Sequence, residues 1–324
     1  ESRADRIATA IEVLRVAALS SYENRPISSG VLIVGDADRP ASGAALGPVP
    51  YTPALAAVKS VFRLCDGVRT LFLVDQAGLV RDVVDIERWA ETRGRPAGAE
   101  APCATPYRAH ARATRGTGDV CIVLSPTHEI KVFAEGAQLF TFRHAGWHLL
   151  DLQAKYDVWR AAVGDEAIAS RLFEVALDLA EARRGALFVL LRDPADAAPQ
   201  LIAPADRLDV RLGTRRPEPD APERTAAWRR DLLQLLVNRL VTELDRTVVE
   251  ALGAMDGATV MDLKGRIIAT GAILLHPTVP GGPDLAVEGA RTTAAVAAAR
   301  FGPVLKVSED GVITFYDGEK IWDI

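Results

Sequence analysis

The stretch "GARTTAA", Gly289 to Ala295, sets a glycine, an arginine and two threonines at the head of an alanine-rich run. Backbone N–H groups at a helix start, with hydroxyls and a guanidinium beside them, make an anion-binding site. The same residues also suit a relic of such a site or an ordinary capped surface helix. Two Asp-Gly pairs stand apart as well, Asp66-Gly67 and Asp256-Gly257, each leading into an apolar run. A third cluster, "YRAHARATRG", holds Arg108, His110 and Arg112 with alanines between them. That alternation suits an extended segment better than a helix start, and a basic cluster on a solvated loop is its plainer meaning. His144 and His148 in "FRHAGWHLL" are four apart, a zinc-protease spacing, but no glutamate stands between them as required and Gly146 weakens a helix. Trp147 and Leu149 read there as core or interface residues. His276 precedes Pro277 in a loop that reads as a plain turn. No GxSxG elbow and no Walker-type glycine loop is present.

Elements that could position these residues follow from hydrophobic spacing. Ile7, Ile11, Leu14 and Val16 recur at helical intervals behind Ser2, a ready cap. "GVLIVG" from Gly30 reads as a buried strand, "TPALAAVKSVFRLC" as helical, and "TLFLVDQAGLVRDVVDI" as two strands around Gln76-Ala77-Gly78. "DVCIVLSPTHEIKVFAEGAQLFTF" gives three more strands. From Asp165 the order begins again: helix, the glycine-led strand "GALFVLLRD", a long helix from Arg224 to about Leu252, "DGATVMDLKGRIIATGAIL", and "PVLKVSEDGVITFYDGEKIW". Recurrence in this order indicates an internal duplication. It divides the chain into a first module, residues 1–150, and a second, 151–324, whose insertion at 193–223 is rich in Pro and Arg and reads as a surface loop. The run "RLGTRRPEPDAPERTAAWRR", residues 211–230, which begins inside the insertion and includes Trp228, reads as a solvated linker into a helix.

Composition bounds the function. The 324 residues are 49% hydrophobic and 25% charged, enough for a sizeable core. With 38 basic against 43 acidic residues, the net charge of -5 speaks against nucleic acid as a partner. Three widely spaced cysteines, with no CxxC pair, indicate neither a disulfide framework nor a zinc site and fit a reducing, cytoplasmic compartment. No apolar run approaches the ~20 residues of a membrane span, and the charged, amphipathic start is not a signal peptide. A chain that opens on Glu1 reads as a piece of a longer protein.

Together, "RRGALFVLLRD", "DGATVMDLKGRIIATGAIL" and "LAVEGARTTAAVAAARFGPVLKVSEDGVITFYDG" resemble the bacterial diadenylate cyclase (DisA N-terminal-like) family over roughly residues 166–324. Its members join two ATP molecules into cyclic di-AMP. The resemblance implies an α/β fold of two tandem cyclase-like modules, each a mixed β-sheet flanked by helices, forming an intrachain pseudo-dimer. It assigns Asp256 to metal binding and, in an active enzyme, to catalysis, with Mg²⁺ or Mn²⁺ as the ion when a nucleotide triphosphate is bound. Gly257 and Ala258 let a nucleotide approach the backbone. Arg291 matches the first arginine of the family's Arg-His-Arg signature, Thr292 and Thr293 stand where the histidine and second arginine belong, and Glu309 matches an acidic position that helps the metals. In the first module Asp66, His110 and Arg112 are fainter counterparts, and two extra residues after Asp66-Gly67 place Asp66 off the position of Asp256. Ser125-Pro126 replaces the family's Ser-Glu there, which puts a second metal site in doubt.

A hydrogen bond to a charged group is worth ~1.5–3 kcal/mol, so losing two phosphate-handling side chains removes about 3–6 kcal/mol. That is a rate loss on the order of a hundredfold or more. The expected function is therefore a non-catalytic nucleotide or cyclic-nucleotide sensor acting on a protein partner or fused effector. An active cyclase with a composite metal-dependent site, drawing on Arg108 or Arg112, and a ligand-free interaction scaffold are the alternatives.

Overall fold

The computed structural model describes residues 2–35, 49–93, 100–204, 206–208, 234–236, 239–275 and 289–324. The chain divides into two compact units, Glu1–Gln153 and Ala154–Ile324. His276, Trp228, residues 36–48 and residues 205 and 209–223 of the insertion lie outside the described residues.

In the first unit, helix α1 (Arg3–Ala18) starts at a capping box: Ser2 Oγ accepts from Asp5 N, and the Asp5 carboxylate accepts from Ser2 N. It buries Ala10, Val13, Leu14 and Ala17, which join a core with Val31, Ile33, Phe72, Val74, Ile122 and Leu124. Short strands β1 (Ser21–Tyr22) and β2 (Arg25–Pro26) form a separate ribbon. The main sheet is built from β3 (Ser29–Ile33), β4 (Val49–Pro50), β5 (Thr70–Val74), β6 (Leu79–Asp85), β7 (Val120–Leu124), β8 (Ile130–Ala134), β9 (Ala137–Arg143) and β10 (Gly146–Leu149). Its order among the described residues is β10-β9-β8-β7-β3-β5-β6-β4. Helices α2 (Ile86–Arg93) and α3 (Arg108–Thr114) complete the unit.

In the second, α4 (Leu152–Val163) begins at the division between the units, and α5 (Glu166–Glu181) follows with Asp165 as its N-cap, accepting from Ala167 N and Ile168 N. Burial of Ile168, Leu172, Phe173, Val175 and Leu179 on one face of α5 stabilises it by roughly 1.5–3 kcal/mol per large side chain. Strand β11 (Ala186–Leu191) is buried throughout, and α6 (Pro194–Leu201) and α7 (Arg246–Gly253) precede β12 (Ala258–Asp262) and β13 (Ile267–Ala272). Helix α8 (Ala290–Ala298), β14 (Val304–Val307), β15 (Ile313–Asp317) and β16 (Glu319–Asp323) close the chain. The order is β13-β12-β11-β14-β15-β16. It repeats β6-β5-β3-β7-β8-β9 of the first unit. In both, the central strand runs parallel to one neighbour (β3 with β5, β11 with β12) and antiparallel to the other (β7, β14). Each unit is a mixed sheet flanked by helices, and the recurrence seen in sequence is a recurrence of strand order.

Four expectations are corrected. Residues 53–63 form two 3-10 turns, Pro53–Ala57 and Lys59–Arg63, because Val58 between them takes a non-helical ψ of 72°. Within the long helix expected from Arg224 to about Leu252, residues 239–245 are not helical and α7 starts only at Arg246, while residues 224–233 lie outside the described residues. Val241 N donates to Gly265 O and Leu240 bridges Arg266, so the backbone there is paired with the β12–β13 turn. The segment 108–114 is an α-helix rather than extended, its alanines being good helix formers small enough to pack on the sheet. Trp147 and Leu149 are not core residues: they lie on edge strand β10 and are 45% and 68% exposed. His144 sits in the β9–β10 hairpin turn with φ 48°, which removes the helical face that would pair it with His148.

Candidate functional site

The second unit carries a cleft of about 580 Å³ between the ends of β11, β12 and β13 on one side and α8 and β14 on the other. Its polar side is the start of α8. Gly289 at the N-cap brings no side chain to the helix, and Thr292 N and Thr293 N both reach back to Gly289 O, at 2.8 and 3.3 Å. Arg291 lies against Gly185, where an added Cβ would come 2.1 Å from its Nη1. The absence of a side chain at the head of β11 is what makes room for the guanidinium. Arg291 Nη1 also meets Glu309 Oε1 at 3.5 Å, an exposed pair worth ~0–1 kcal/mol, so a stronger anion can compete for it. Thr292 Oγ1 accepts a hydrogen bond from Lys306 Nζ at 3.0 Å.

The opposite wall is apolar: Leu187, Ala272, Ile273 and Leu274. Ile273 is 75% exposed and adds apolar surface to this wall. Gly257 closes the floor. Its φ is +97°, and a Cβ there would fall 2.6–2.8 Å from the backbone of Gly271 and Ala272. Only glycine lets β12 begin this close to β13.

Five of the residues singled out in the sequence therefore share one cleft: Gly257, Ala258, Arg291, Thr292 and Glu309. Thr293 is half-buried in the same helix turn but does not line it, and Asp256 is exposed in the turn ahead of β12. Among the described residues no three His, Cys, Asp or Glu side chains gather as a metal site. Of the two carboxylates assigned to a metal, Glu309 lines the cleft and Asp256 does not.

The first unit spends its counterparts on structure. Asp66 Oδ1 accepts from Val68 N, Arg69 N and Thr70 N at 2.8, 2.6 and 3.0 Å. Burial alone would raise its carboxyl, but the N–H groups of Thr70, Arg69 and Val68 outweigh that and hold it below the usual range. Arg112 is paired with Glu87 at 3.3 Å and Glu100 at 3.2 Å. His110 is fully buried against Tyr107 and Phe133, its Nε2–H donating to Gly67 O at 2.9 Å. It is not on a solvated loop.

Burial lowers the His110 pKa to about 4, against the partial support of Gly67 O and Asp66. Above the ordinary value of 6.5 both folded and unfolded chains hold it neutral. As pH falls below that, the unfolded chain takes up the proton first. The first unit should thus lose on the order of 3 kcal/mol of stability between pH 6.5 and about 4. Urea titrations across that range should show the loss, and His110→Gln, which keeps an N–H for Gly67 O, should flatten it.

Sequence reading missed Lys306, Gly185 and the apolar wall. The one local signal was a lysine inside the otherwise apolar strand "PVLKV".

No family model matches the chain, and no curated protein matches it. Among solved structures it is similar to a hypothetical membrane-spanning protein from Bacillus cereus, at 20% identity and a TM-score of 0.36, over 53% of this chain and 71% of that one. It is also similar to DacA from Staphylococcus aureus, at 18% identity and a TM-score of 0.31, over 49% of this chain and 87% of the other. Both scores are too low to establish a shared fold. No helix among the described residues is long and apolar enough to cross a membrane.

Proposed function

We propose that this chain is a non-catalytic sensor that binds a nucleotide or cyclic nucleotide in the cleft of its second module. The observation that carries the reading is the meeting of an anion-binding helix start with an apolar wall across one cleft. A phosphate at the head of α8 would meet backbone N–H groups, Arg291 and the Thr292 hydroxyl. A base laid against Leu187, Ile273 and Leu274 would cover the exposed isoleucine. Asp256 and Glu309 would share Mg²⁺ or Mn²⁺ with the phosphates of a triphosphate.

The loss of the histidine and second arginine at Thr292 and Thr293 separates binding from chemistry. Backbone amides still receive an anion, while the charge needed to stabilise a phosphoryl-transfer transition state at this helix falls to Arg291. The intrachain pairing of the two modules as a pseudo-dimer, a cytoplasmic setting and a protein partner or effector that reads ligand occupancy belong to the same proposal.

Incubating the full chain with ATP and Mg²⁺ or Mn²⁺ tests the separation. The expected result is no cyclic di-AMP above the no-protein control. Cyclic di-AMP that forms and disappears with Asp256→Asn would replace the sensor with an active cyclase.

A further inference from the structure

Beyond the residues that the family resemblance assigns, the cleft holds a second cation. Lys306 projects from β14 into it, and its Nζ donates to the hydroxyl of Thr292, which stands where the cyclase signature has its histidine. The ammonium reaches the head of α8 from a neighbouring strand. Because Thr292 Oγ1 accepts from Lys306, its own hydrogen can point to an anion in the cleft. Arg291 borders the same space, and among the described residues that line it two cations meet one carboxylate, Glu309, which leaves one net positive charge, with Asp256 exposed outside the lining.

We infer that Lys306 is the phosphate-holding residue of this cleft, supplying from β14 the charge missing from the helix start, and that the cleft selects a singly charged phosphodiester over a triphosphate. The inference rests on the nucleotide reading above. A metal-free triphosphate carries about four negative charges at neutral pH, which one net positive charge balances poorly. A phosphodiester, as in a cyclic mono- or dinucleotide, carries one per phosphate. Lysine acts on phosphate as a point charge, so arginine at the same place should serve nearly as well.

Calorimetric titration of the full chain with cyclic di-AMP, and separately with ATP in EDTA, decides it. Wild-type chain should bind cyclic di-AMP at least about tenfold more tightly than metal-free ATP. Lys306→Met should weaken cyclic di-AMP binding about tenfold or more, and Lys306→Arg should restore it to within about threefold, a recovery that a merely structural role would not give. Thermal unfolding of each variant confirms a folded chain. Wild-type affinity in Lys306→Met, or Lys306→Arg as weak as Lys306→Met, overturns the role of Lys306 while the nucleotide reading stands. Equal affinity for metal-free ATP overturns the selection for a phosphodiester. No binding of either probe by wild type overturns the inference together with the reading beneath it.

Discussion

Truncating Trp159 to alanine should destabilise the second unit by about 3–5 kcal/mol, among the larger costs open to a single core substitution. The indole is fully buried, donates from Nε1 to Ala169 O at 3.0 Å, and meets the Phe315 ring edge-on at 5.3 Å. Phe315 in turn packs on Trp322 at 5.4 Å, so one aromatic group ties α4 to α5, β15 and β16. Alanine leaves a cavity and removes the second hydrogen bond that the indole gives a helical carbonyl. Chemical denaturation followed by tryptophan fluorescence should show the unfolding free energy fall by that amount. Trp159→Phe, which keeps most of the volume and loses the N–H, should cost markedly less.

Gly257→Ala should follow, at about 2–6 kcal/mol. A β-carbon at φ +97° adds ~1–3 kcal/mol of backbone strain, and its approach to the backbone of Gly271 and Ala272 adds an overpacking cost of similar size because no flexible side chain can yield. Gly289→Ala is the control. Its φ is -51° and a Cβ there meets nothing within 4 Å among the described residues, so only the poorer N-capping of alanine remains, a cost of about 1 kcal/mol or less. Thermal unfolding of the two variants side by side separates a glycine required by the fold from one at the open mouth of the cleft.

Much of this architecture can be read from the chain because neighbouring residues dictate it. Ser2 and Asp5 cap α1 within four residues, and the glycine-led apolar runs at Gly30 and Gly185 become the central strands of the two sheets. Elements set by distant partners are harder to read. Helix α7 begins at Arg246 because the backbone just before it is bound to the β12–β13 turn, a pairing invisible in local spacing. His110 looks like a solvated cation among alanines, yet those alanines let its helix pack close enough to bury it on Gly67.

The site divides in the same way. Gly257, Ala258, Arg291, Thr292 and Glu309 are found because each lies in a short motif. Lys306 is two strand positions ahead of Ser308 and fourteen residues from Thr292, and only the antiparallel placement of β14 beside β11 brings it to the helix start. Asp66 shows the opposite error. The same dipeptide as at Asp256 is used to cap its own turn, since a carboxylate two to four residues ahead of unpaired N–H groups is captured by them.

The central claim, a nucleotide held in the cleft of the second module, is tested most directly by photolabelling the full chain with 8-azido-cyclic AMP and mapping the labelled peptides. The account predicts label on the peptides carrying Ile273–Leu274 and Arg291–Glu309, suppressed by excess cyclic di-AMP and lost in Arg291→Met. Label confined to the first module, or label that excess nucleotide fails to suppress, would contradict it.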